Sequence, residues 1–130
     1  MGHYTEEILR NAERINQLKS CIDEAVKYRD KNEHKHREWQ KACADFHAQY
    51  DALAFPGGLE GAYERIIEGD SKAMEAAVCF LECRPYFFRS GYMFKDILRK
   101  VKKAPLEADQ RARLESVIAA YGEYRRTKNA

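Results

Sequence analysis

"RDKNEHKHRE", Arg29 to Glu38, contains no apolar side chain. It interrupts a stretch, Tyr4 to Phe55, that has neither Pro nor Gly. On either side of it apolar residues recur every seven positions. One row runs Ile8, Ile15, Ile22 and, past the gap, Cys43 and Tyr50. Its companion runs Tyr4, Leu18, Ala25 and then Trp39, Phe46 and Leu53. That repeat is the signature of helices packed along a seam.

The reading of the gap decides the N-terminal half. As an exposed turn, it lets two arms of about 23 residues fold back on each other as a helical hairpin. As wet helix, it leaves one coiled-coil-like rod of about 50 residues, about 75 Å long. A domain of this size has a radius of gyration near 14 Å, so the rod would project and seek a second copy. Asp23–Lys27 and Glu33–Arg37 are spaced as helical ion pairs, and Asn32 is a weak breaker; both favour continuity. The hairpin fits a compact domain better, and the rod stays open.

Phe55-Pro56-Gly57-Gly58 is the strongest break in the chain. Pro56 disfavours helix at Phe55, and two glycines follow. Leu59, Ala62, Tyr63, Ile66 and Ile67 then mark an amphipathic helix that Gly69 ends, with Asp70 placed to cap the next. That next helix, Ser71 to Cys83, carries Met74, Ala77, Val78 and Leu81 on one face. Ala73, Ala76 and Phe80 extend the apolar surface most of the way round, which predicts the central, buried helix. Arg84-Pro85 breaks it and Gly91 interrupts again. A helix from Tyr92 to Lys103 stops at Ala104-Pro105. The last helix runs from about Leu106 to Arg126, with Glu107 and Asp109 at its start and Arg125 and Arg126 at its end, each suited to the helix dipole. Strand periodicity and internal repeats are absent. The fold class is therefore all-α. A long helical half (4–55), a break (56–58) and a compact bundle of about four shorter helices (59–130) form a single domain.

The composition, 45% hydrophobic and 34% charged, is globular. A net charge of +2 imposes no overall field, so charge arguments must be local. No apolar run approaches the roughly 18 residues of a membrane span, and no membrane partner is expected. The N-terminus mixes charged and apolar residues, unlike a signal peptide, and Glu6 stands where a myristoylation motif wants Ser or Thr. Cys21, Cys43, Cys79 and Cys83 lie on or near apolar stripes. They read as buried free thiols of a cytoplasmic protein.

One segment departs from this balance. "RPYFFRSGYMFKDILRKVKKAP", Arg84 to Pro105, holds seven Lys or Arg against the single acid Asp96. On a helix, Phe94, Ile97, Leu98 and Val101 share a stripe. Lys95, Arg99 and Lys102 line the opposite side, with Lys100 and Lys103 beside them and Asp96 spaced to pair with Lys100. An ordinary solvated face would look similar, but faces that serve only solubility mix both signs. Of Tyr86, Phe87 and Phe88, the two phenylalanines are expected in the core and Tyr86 at the rim. Aromatic plus arginine is the composition of interface hot spots and of platforms that stack single-stranded bases.

Signals for chemistry are weak. Cys43 and His47 are one helical turn apart, but His36 lies about 10 Å further along the axis, and two ligands do not hold zinc. Cys79 and Cys83 read as small core fillers. There is no Gly-rich phosphate loop, Ser elbow or HExxH, so no metal, no cofactor and no catalysis are expected. The expected function is a non-catalytic protein-binding module: a small adaptor, inhibitor or immunity-type protein. It would dock an acidic partner through Arg84, Tyr86, Arg89, Lys95, Arg99, Lys102 and Lys103. Nucleic-acid binding through the same face is the alternative. A homodimer formed through the N-terminal seam is the third reading.

Overall fold

The computed structural model describes residues 2–129 and is all-helical, with six helices and no strand among the described residues. They are α1 (Thr5–Val26), α2 (Glu33–Ala54), α3 (Ala62–Glu68), α4 (Ser71–Cys83), α5 (Ser90–Lys102) and α6 (Ala108–Asn129). No helix among the described residues is long and apolar enough to cross a membrane.

The polar gap separates α1 from α2, and the residue that restarts the helix is Asn32. Its backbone is extended and its side chain accepts the Lys35 N–H at 2.8 Å, the geometry of an N-cap. Of the two ion pairs that favoured continuity, Glu33–Arg37 forms inside α2. Asp23 instead turns back to Lys19 within α1, and Lys27 takes Glu24. The gap also shields one ring, because the Arg29 guanidinium lies 4.7 Å from the centre of Trp39. α1 and α2 make the most extensive helix–helix contact in the molecule. Ile8, Ala12, Ile15, Leu18 and Phe46 are buried there and in the adjoining core.

α4 has the boundaries its sequence predicts. Gly69, at φ 89°, ends α3 in the left-handed conformation, where a side chain is strained. A Cβ there would also stand 2.8 Å from the Pro105 ring. Asp70 accepts the Ala73 N–H at 3.0 Å and caps α4. Eight of the α4 residues are buried, including Val78, Cys79 and Phe80. α4 packs against α1, α3, α5 and α6, as befits a helix apolar nearly all round.

Several expectations change. Gly91 does not interrupt: α5 begins at Ser90, whose hydroxyl accepts the Phe87 N–H at 3.0 Å and so holds the preceding turn. α6 starts two residues later than predicted, at Ala108, because the Gln110 side chain accepts the Glu107 N–H and defines the first turn. At 22 residues α6 equals α1 and α2 in length. Only Cys79 of the four free thiols is buried; Cys43 and Cys83 are partly covered and Cys21 is exposed.

Candidate functional site

The segment between α4 and α5 is pinned from three directions. Asn16 of α1 donates its side-chain amide to the Tyr86 carbonyl at 2.9 Å. Tyr50 of α2 donates its hydroxyl to the Phe88 carbonyl at 2.7 Å. Phe87 is buried against Phe80 and Tyr50. Arg84 and Arg89 close the segment at either end, at φ 50° and 70°. They are the only non-glycine residues in left-handed backbone conformation among the described residues. Such a conformation costs an L-residue roughly 1–2 kcal/mol.

This bracing turns rings outward. Tyr86 is 87% exposed and Tyr92, in the first turn of α5, 72%. Phe88, expected in the core with Phe87, is 42% exposed. The bonds that hold Asn16 and Tyr50 to the backbone fix a turn that can bury only one of its three rings. Phe88 rests edge-on against Phe46 and is flanked by Arg89 at 5.2 Å and Lys19 at 5.8 Å from its centre.

The rings lie in a broad open groove of about 1520 Å³. α1 lines one side through Asn16, Lys19, Ser20 and Asp23. α6 lines another through Tyr121, Tyr124, Arg125 and Lys128. The 84–90 segment and α5 lie between. Of the residues singled out from the sequence, Arg84, Tyr86, Arg89, Lys95 and Arg99 line this groove. Lys102 and Lys103, at the far end of α5, are exposed but lie outside it. Asp96 pairs with Arg99 and not with Lys100. Among the described residues Arg84, Arg89, Lys95, Lys102 and Lys103 pair with no carboxylate.

Arg84 has a second role. Its guanidinium lies 4.2 Å from the ring centre of Tyr124, 4.8 Å from Phe94 and 5.2 Å from Tyr121, all within cation–π range. It thereby ties the α4 C-terminus to α5 and α6. The α6 side of the groove is absent from the sequence-derived set. Tyr124, Arg125 and Lys128 carry an aromatic-plus-cation signal at helical spacing, but only folding brings it beside Tyr86.

An ion-pair clasp near the start of α6 seats that helix on α4. Arg113 binds Glu82 through two parallel contacts, at 2.7 and 3.0 Å, and Glu75 at 3.0 Å. Gln110, buried, donates to Glu75 at 3.1 Å, and the Cys79 thiol donates to it at 3.3 Å. Burial alone would raise the Glu75 pKa. The hydrogen bonds from Arg113, Gln110 and Cys79 outweigh it and bring the carboxyl down to about 2. Burial pushes the Cys79 thiol up, which keeps it protonated and unreactive.

Among the described residues no three His, Cys, Asp or Glu side chains gather as a ligand set for a metal. A smaller depression of about 210 Å³ beside Tyr4, Arg65 and Asp70 falls below the usual range for small-molecule sites, about 300–1,000 Å³. No family model matches this chain, and no curated protein or solved structure proves similar to it.

Proposed function

We propose that this chain is a non-catalytic helical protein-binding module, an adaptor, inhibitor or immunity-type protein, that docks an acidic partner in the groove. In this reading a long N-terminal helical hairpin supports one side of the groove and the bundle of α3 to α6 supplies the rest. The observation that carries it is the juxtaposition of four exposed rings, Tyr86, Phe88, Tyr92 and Tyr124, with arginines and lysines that have no carboxylate partner. Tyr and Arg together dominate interface hot spots, and unpaired cations steer an acidic surface toward them. A groove of about 1520 Å³ exceeds a metabolite site, which supports a macromolecular occupant. Four free thiols suit a reducing, cytoplasmic setting.

Nucleic acid is the second reading, favoured by exposed rings beside arginine. One feature weighs toward protein: the pI is about 8.3, below the value above 9 common in nucleic-acid-binding domains. The dimer reading draws less support, since Ile8, Ile15 and Leu18 of the seam are already buried within one chain.

The test is charge reversal at two unpaired cations, Arg89→Glu with Lys95→Glu. Helicity and melting temperature should stay within a degree or two, because both side chains are exposed. Recovery of the partner from host extract should be lost. Micromolar binding of short oligonucleotides at low salt, abolished by the same change, would reassign the groove to nucleic acid.

A further inference from the structure

We infer that the occupant of the groove is an acidic amphipathic helix of the partner, laid with its apolar stripe on the exposed rings. The inference rests on the protein-binding reading above and narrows it to one mode of recognition.

Three observations lead there. The first is the origin of the sides. Asn16, Lys19, Ser20 and Asp23 follow the spacing i, i+3, i+4, i+7, the face of one helix. Tyr121, Tyr124, Arg125 and Lys128 follow the same spacing on α6. Two helical faces with a third helix and a turn between them form a trough of the kind that receives a helix.

The second is the distribution of chemistry. Tyr86, Phe88 and Tyr92 present apolar area on the middle segment. Arg89 and Lys95 stand among them, and Arg125 and Lys128 stand on the α6 side. An occupant complementary to this has one apolar stripe flanked by carboxylates.

The third concerns backbone satisfaction. A peptide that binds by strand addition needs a sheet edge, and no strand exists among the described residues. A helix satisfies its own backbone and needs only side-chain contacts from the groove.

The experiment displays random peptides of about 16 residues, long enough for four helical turns. They are selected on the intact protein and counter-selected on a variant carrying Tyr86→Ala and Tyr92→Ala, both exposed positions that leave the core untouched. Enriched peptides should be rich in Asp and Glu, with apolar residues at i, i+3, i+4 and i+7. They should gain helical circular dichroism on binding and bind the variant at least tenfold more weakly. Acidic enrichment without that periodicity or induced helicity overturns the helix while the acidic-partner reading stands. Enrichment without acidic character, or no enrichment over the variant, overturns both.

Discussion

The hydroxyl of Tyr50, on α2, donates to the carbonyl of Phe88 at 2.7 Å. With the Asn16 amide on the Tyr86 carbonyl, this hydrogen bond links the N-terminal helical pair to the turn that carries the exposed rings. Burial raises the Tyr50 pKa, so the donor stays protonated through neutral pH. Tyr50→Phe keeps the ring stack on Phe46 and removes only the donor. It should cost about 1 kcal/mol of stability, read by denaturant midpoint. It should also speed exchange of the Phe87 and Ser90 amides, which are bonded within the turn; unchanged exchange would show that the bond does not hold the turn.

The two left-handed arginines make a controlled pair. Arg89→Gly relieves backbone strain and loses only a contact with the exposed Phe88 ring, so stability should rise by about 1 kcal/mol. Partner affinity should fall at the same time. Arg84→Gly gains the same relief but gives up the stack on Phe94, Tyr121 and Tyr124, worth about 1–2 kcal/mol. Its net stability should lie at or below wild type, with faster exchange confined to the C-terminal turns of α6. Equal gains in both variants would mean the stack contributes nothing.

Acid should loosen the α4–α6 clasp in a defined window. The Glu75 carboxyl falls from an ordinary 4.5 to about 2 on folding. A depressed carboxylate stabilises the fold above the unfolded value, and that contribution drains away as pH falls from 4.5 toward 2. Its side chain is about a fifth exposed, so after allowance for solvent screening the effect is about 1–2 kcal/mol. Wild type should lose more stability over this window than Glu75→Gln does. Parallel curves would assign the acid sensitivity elsewhere.

Asn32→Ala removes the cap that restarts the chain as α2 and should cost about 1 kcal/mol. Asn32→Asp should retain most of the stability, because the acceptor oxygen remains. Comparable losses in both variants would show that the side-chain bond to Lys35 is dispensable.

What could be read from the chain follows how local each cause is. α4 was legible to the residue because Gly69, Asp70 and Pro85 act on their immediate neighbours. The separation of α1 from α2 was legible only as the better-fitting of two readings, since Asn32 breaks or caps depending on which neighbour its side chain finds. Phe88 was misjudged for a different reason. Local composition says that at least one ring of three must be exposed, but Asn16 and Tyr50, remote in sequence, fix a turn that exposes two. The cationic side of α5 was visible as a charge imbalance. Its continuation through Tyr124, Arg125 and Lys128 depends on Arg84 and Arg113 seating α6, which no local pattern encodes.

Because the groove borrows from α1, the 84–90 turn, α5 and the last turns of α6, no excised fragment reproduces it. A peptide copied from Arg84 to Lys103 would carry the charge and three of the rings yet lack both flanks. Conversely, an occupant that bridges the flanks must hold the α6 end in place, so occupancy should quiet that end first and shield it from proteases.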